Sequence, residues 1–142
     1  MPPLKTKGSK SMNKEITLFG ISNCDTVRKA RRWLDQHDAD YRFHDFRKQG
    51  LEQAVIDGWL ERCDFNTLLN RRGTTWRQLD AASKQQLEQQ QDTALLAQQP
   101  TLIKRPVLCV DDAVLVGFSE TDYRDQLERH LKAANLEGNG AP

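Results

Sequence analysis

FGISNCDTVRKARRWL, Phe19–Leu34, decides how the rest of the chain is read. A short apolar run stops, a polar turn holds one cysteine, and a basic helical pattern starts. Upstream, EITLF at 15–19 is β-branched and aromatic and alternates Ile16 and Leu18 against Thr17, which predicts a strand. Downstream, Val27, Ala30, Leu34 and His37 recur at helical spacing, with Arg28, Lys29, Arg31 and Arg32 on the other faces. DYRFHDF at 40–46 alternates again, through Tyr41 and Phe43. Strand, helix, strand over this length is a βαβ unit with parallel strands and a right-handed crossover.

Working toward the C-terminus, LEQAVIDGWLERC sets Leu51, Val55, Trp59 and Cys63 on one helical stripe. NTLLNRRG reads as a helix end, with cations in the last turn and Gly73 free to take a positive φ. TTWRQLD suggests a short helical turn, and SKQQLEQQQ opens on a capping-box pattern, Ser83 and Gln86. The Gln-rich run continues into DTALLAQQ, a second short helix closed by Pro100. RPVLCV and AVLVGF are two strands joined by Asp111-Asp112, a tight hairpin. Ser119, followed by Asp122, caps a last helix with an inner stripe of Tyr123, Leu127, His130 and Leu131. The order is βαβ, a helical insertion over about 51–100, then ββα: an α/β (α+β) chain with a mixed four-stranded sheet flanked by helices. Residues 14–134 form one domain. Residues 1–13 read as a disordered tail, with Met12 an alternative start, and the segment from Asn135 as a frayed end.

The chain has 142 residues, enough for one core without a disulfide or metal staple. Lys plus Arg number 21 and Asp plus Glu 20, for a net charge of +1, which argues against a dedicated nucleic-acid binder. No run is long and apolar enough for a membrane span, and MPPLKTKGSKSMNK lacks the apolar core of a secretory signal. The three cysteines, Cys24, Cys63 and Cys109, fit neither a zinc site nor a disulfide framework, and their odd number suits a reducing cytoplasm. His37, His44 and His130 have no metal spacing, so no metal is expected.

Cys24 stands at the start of the first helix, where unpaired N–H groups and the helix dipole favour an anion such as a thiolate. Arg28, one turn on, adds to that effect, and Asp25 acts against it. A thiol whose pKa falls from ~8.5 to ~6.5 gains about 25-fold in thiolate at pH 7. It loses about 8-fold in intrinsic nucleophilicity at a Brønsted slope near ~0.45, so the net gain is small and positioning matters as much. An isolated cysteine also behaves as a small buried hydrophobe, the reading taken for Cys63 and Cys109. Position alone leaves both readings open for Cys24. CDTV carries Val27 where a second thiol would complete a redox pair, so any resolving thiol comes from outside, a small thiol being the simplest source. Arg105-Pro106 opens a strand, and only ~5–6% of X-Pro bonds are cis, so the residues alone do not predict a cis bond. Arg71 and Arg72 read equally as a helix C-terminus or an anion site, Trp76 as core, and the basic run 28–32 as a solvated face that also attracts an anionic thiol.

ITLFGISNCDTVRKARRWL, LLNRRGTTWRQLD and LIKRPVLCVDDAVLVGFSE together resemble the arsenate reductase-like (ArsC) family, in its YffB branch, which neighbours the Spx regulators. The resemblance covers roughly residues 15–132. It implies a thioredoxin-like fold with a helical insertion, Cys24 as nucleophile and Pro106 as a cis-proline near it. It implies Arg105 as one of three oxyanion-binding arginines. Asn70 and Gly117 stand where the other two are wanted, with Arg72 a partial substitute. Each missing charge-assisted contact is worth about 1.5–3 kcal/mol, so efficient arsenate reduction is not expected. The expectation is instead a cytoplasmic, glutathione-linked thiol reductase. Cys24 is catalytic, and Arg105, Pro106, Arg72, Asn70, Asn23 and Arg28 bind substrate. No cofactor is bound, glutathione is the co-substrate, and a protein disulfide or oxyanion is the other partner. Arsenate reduction proper is one alternative. A non-enzymatic regulator that binds RNA polymerase is the other, although Val27 removes the Cys-x-x-Cys switch of Spx proteins.

Overall fold

The structure, a computed structural model, describes residues 16–139, with side chains described to 133. The segment 1–13 therefore lies outside the described residues. β1 (Ile16–Gly20) leads through a four-residue loop to α1 (Asp25–Gln36), then to β2 (Tyr41–Asp45) and the single turn α2 (Phe46–Gln49). The insertion holds α3 (Gln53–Trp59), α4 (Phe65–Leu68), α5 (Thr74–Gln78), α6 (Ala81–Gln90) and α7 (Thr93–Gln98), followed by a 3-10 turn, Pro100–Leu102. β3 (Val107–Val110), β4 (Ala113–Val116) and α8 (Glu120–Asn139) complete the fold. The sheet order is β2-β1-β3-β4, with β1 and β2 parallel and both other pairings antiparallel. This is the mixed four-stranded α/β arrangement that the element order predicts, matching the thioredoxin-like fold that the resemblance implies.

Strand alternation divides the interior in two. Ile16, Leu18, Leu108 and Val110 face α1 and α8 and pack with Val27, Ala30, Trp33, Leu34, Tyr123 and Leu127. Phe19, Val107, Cys109, Val114 and Val116 face the insertion, packed with Ile56, Trp59, Phe65, Leu68, Leu69, Leu87 and Leu96. Burying each large aliphatic or aromatic side chain contributes roughly 1.5–3 kcal/mol. Gly20 lets α1 approach β1: a Cβ there would sit 2.8 Å from Val27 Cγ2.

Several local readings change. Trp33, not His37, completes the inner face of α1. The helix ends at Gln36, so His37 folds back on its end, stacking on Trp33 at 3.8 Å with Nδ1 2.8 Å from the Trp33 carbonyl. Gly73 is not a C-cap. It has φ −86 and is the N-cap of α5, because the chain turns off at Leu69 into an isolated bridge with Ile103. Asp80 caps α6 by accepting from Ser83 N at 2.7 Å, three residues earlier than a Ser83 cap, since Ala81 and Ala82 extend the helix. Leu131 is 54% exposed; its place on the stripe lies beyond the end of the sheet. α8 runs past Asn135 to Asn139, with Leu136 and Glu137 good helix formers there and Gly138 a poor one.

Candidate active site

Cys24 is the N-cap of α1, extended at φ −151, ψ 125, and makes no side-chain capping bond. Its carbonyl accepts the first helical bond, from Arg28 N at 2.9 Å. The N–H groups of Asp25, Thr26 and Val27 therefore precede the helical bonding pattern and have no intrahelical acceptor. Cys24 is half-buried, at the seam where both hydrophobic cores reach the end of the sheet. The sulfur is thus neither in the apolar interior nor on an open surface. Cys63 and Cys109 differ. Burial pushes the Cys109 thiol up to about 12, against a hydrogen bond from Trp59 that works the other way. Burial, with Asp64 alongside, raises Cys63 as well.

The Arg105–Pro106 peptide is cis. Antiparallel pairing sets Val107 opposite Phe19, so Pro106 lies at the sheet end where β1 runs out into the Cys24 loop. Pro106 is buried and its carbonyl accepts from Gly117 N at 2.8 Å. Arg105 is anchored through one terminal nitrogen to the carbonyls of Thr101 and Ile103, both at 3.1 Å. Its Nε is buried without a partner among the described residues. A buried, unsatisfied donor costs about 1–3 kcal/mol.

The LLNRRG bend is tied to the approach to Arg105. Asn70 N donates to Leu102 O at 2.7 Å and Lys104 N to Leu68 O at 2.8 Å. Within the bend Asn70 Oδ1 accepts from Arg72 N at 3.1 Å, and a Cβ on Gly73 would come 3.0 Å from Asn70 Nδ2. Asn70 thus shapes the bend that carries Arg72. Arg71 is committed to Glu88 at 3.0 Å and Asn66 at 2.9 Å and lies over Trp76. The Arg72 side chain is exposed and has no partner among the described residues. On the thiol loop, Arg28 pairs with Asp25 and donates to Asn23 Oδ1 at 3.2 Å. Those contacts brace the loop and occupy Arg28 and Asn23. Gly117 has φ +87, a left-handed conformation that an arginine adopts only at a cost.

One residue of this region escaped the sequence reading. Asp45, at the end of β2, is 5% exposed and sits opposite Gly20 in register. It accepts from Arg47 N at 2.8 Å and so caps α2. The signal in the sequence was a carboxylate closing an apolar alternation just before FRKQ. Among the described residues no group of three or more His, Cys, Asp or Glu side chains is placed to hold a metal ion.

Comparison with known proteins bears on the family and the fold. The ArsC family pattern matches residues 19–126. The solved YFFB protein superposes with a TM-score of 0.75 at 42% identity, covering 79% of this chain and 98% of that one. An arsenate reductase (ArsC) related protein from Brucella melitensis superposes at 0.61 with 40% identity, covering 80% and 94%. The global transcriptional regulator Spx of Listeria innocua is 28% identical over 123 residues, 85% of this chain and 93% of its own length. The chain belongs to the ArsC family.

Proposed function

We propose that the protein is a glutathione-linked thiol reductase that works through Cys24 in a reducing compartment. The observation that carries this reading is a half-buried cysteine N-cap set at the same sheet end as the cis Arg105–Pro106 peptide. In the reaction the Cys24 thiolate attacks a sulfur of a glutathione mixed disulfide. The S–S bond breaks, the substrate thiolate leaves and takes a proton, and Cys24–S–S–glutathione forms. A glutathione thiolate then attacks the outer sulfur of that adduct, releasing oxidised glutathione and restoring Cys24. The incoming glutathione thiol is oxidised to the disulfide level as the substrate sulfur is reduced to a thiol, and the glutathione sulfur already in the mixed disulfide stays at the disulfide level throughout. The free N–H groups opening α1 stabilise Cys24 as attacker and as leaving group.

Arsenate reduction is disfavoured on two counts: Asn70 is engaged with its own bend, and Gly117 is in a glycine conformation. Likeness to Spx over nearly its full length supports a second reading, a regulator that binds RNA polymerase. Against a redox switch of that kind stands Val27, fully buried in the core of α1. The test is turnover of a glutathione mixed disulfide by wild type and Cys24→Ser. Activity abolished in Cys24→Ser, with little arsenate turnover in either, supports the reductase. Binding to RNA polymerase that survives Cys24→Ser, without reductase activity, favours the regulator.

A further inference from the structure

The geometry points to Thr75 as a positioning residue for Arg105: its hydroxyl clasps Thr101, whose carbonyl holds the Arg105 guanidinium next to the cis Arg105–Pro106 peptide. This rests on the reading of Cys24 and that peptide as one active site. Arg105 follows the 3-10 turn Pro100–Leu102 and lies in the short irregular stretch before β3. An arginine side chain is long and rotamer-rich, so it keeps one place only where its surroundings hold it. Here the hold is one terminal nitrogen shared between the carbonyls of Thr101 and Ile103, both at 3.1 Å. Where the turn sits therefore sets where the guanidinium sits. A 3-10 turn has poorer hydrogen-bond geometry than an α-helix and needs support from outside. Two parts of the chain supply it. The bend at Leu68–Asn70 fixes the C-terminal side, with Asn70 N on Leu102 O at 2.7 Å and Lys104 N on Leu68 O at 2.8 Å. Thr101 is held from α5, its Oγ1 lying 2.6 Å from Thr75 Oγ1 in a half-buried hydroxyl pair. Both residues are β-branched with restricted χ1, so the pair fixes a direction as well as a distance. α5 is itself anchored. Arg77 reaches back to the Arg72 carbonyl at 3.1 Å, and Arg71 and Lys84 lie over Trp76 at 5.7 and 5.5 Å. The hydroxyl pair thus joins the GTTW and TLIKRP segments, and Thr101 carries the tie on to Arg105.

The experiment uses the full chain with Thr75→Val, which keeps the branched shape and removes the hydroxyl, Thr75→Ser, which keeps the hydroxyl, and Thr101→Val. The first readout is the Arg105 Nε–H nuclear magnetic resonance signal and its exchange with water, assigned by its loss in Arg105→Lys. That N–H is buried, so its exchange reports how firmly the guanidinium is held. The second is KM and kcat for a glutathione mixed disulfide. Expected in Thr75→Val is Arg105 Nε–H exchange about tenfold faster, with the sheet amides of Leu18 and Leu108 unchanged. KM rises about fivefold while kcat stays within about twofold. Thr75→Ser returns both toward wild type. Thr101→Val gives the Thr75→Val result, and the double variant goes no further, since the same bond is lost each time. Thr101→Val decides should Thr75→Val fail to fold. Wild-type exchange of Arg105 Nε–H in both valine variants overturns the proposal. So does a Thr75→Ser as disturbed as Thr75→Val, or a loosened Arg105 with unaltered KM in an active protein. The resonance needs no substrate. An Arg105 loosened by Thr75→Val in a protein that turns over no glutathione mixed disulfide would overturn the reductase reading and leave the clasp itself established.

Discussion

At the scale of single residues, the three cysteines separate by environment. Cys24 caps a helix, whereas Cys109 has its thiol pushed up to about 12 by burial. A raised acid pKa in the folded state means that stability is kept below the unfolded thiol value, 9.0, and falls as pH rises from there toward 12. Cys109→Val should therefore flatten the alkaline loss of stability, measured by urea unfolding between pH 8 and about 11. Asp45 runs the other way. Burial alone would raise it, but hydrogen bonds from Arg47, Lys48 and Ser22 outweigh burial and hold it below its ordinary 3.8. Its contribution is present above 3.8 and lost as pH falls through the folded value. Asp45→Asn should cost about 1–3 kcal/mol at pH 7, and the difference from wild type should shrink at about pH 3. Equal penalties at both pH values would contradict this. The polar neighbours of Cys24 argued against its full burial, and it is half-buried, while its chemical role was implied only by the family resemblance. Asp45 was not legible, because a burial that depends on β2 lying beside β1 has no local signature.

At the scale of elements, the fit of α1 on β1 sets the reactive end. Gly20 has no room for a Cβ against Val27, a stiff, buried neighbour. Gly20→Ala should destabilise by about 1–3 kcal/mol and disturb Cys24 through the loop between them. Thermal unfolding with Cys24 labelling checks both. Periodicity found this helix but placed His37 inside, since a helical wheel does not show where the helix stops. Trp33 takes that place, in edge contact with Tyr123 at 5.7 Å. The insertion was the least legible part. Its helices are short, and Asp80 and Asp92 set their starts. A cap built on Asp80 competes with the Ser83 pattern three residues on, and only the folded backbone decides between them. Asp80→Ala should cost about 1 kcal/mol by denaturant midpoint.

At the scale of the molecule, one sheet serves two cores, and both reach the edge where Cys24 lies. The βαβ start and the ββα finish were legible because each is built from alternating or helical apolar runs with a clear turn between them. That their ends meet was not legible from composition or spacing. It follows from β3 pairing antiparallel with β1, which sets Pro106 beside the Cys24 loop. The LLNRRG bend reaches the same region through Leu69 and Ile103, a pairing across more than thirty residues of chain. α8 is tied to the hairpin through His130 Nδ1 and Asp111 Oδ1 at 2.9 Å, which fixes the end of the sheet opposite the thiol.

The most direct measurement of the central claim is peptide mass mapping of the folded protein after exposure to oxidised glutathione at about millimolar concentration. The account predicts one glutathione, on Cys24, removed by reduced glutathione, with Cys63 and Cys109 unmodified. A Cys24 that stays free, or glutathione spread evenly over the three cysteines, would contradict it.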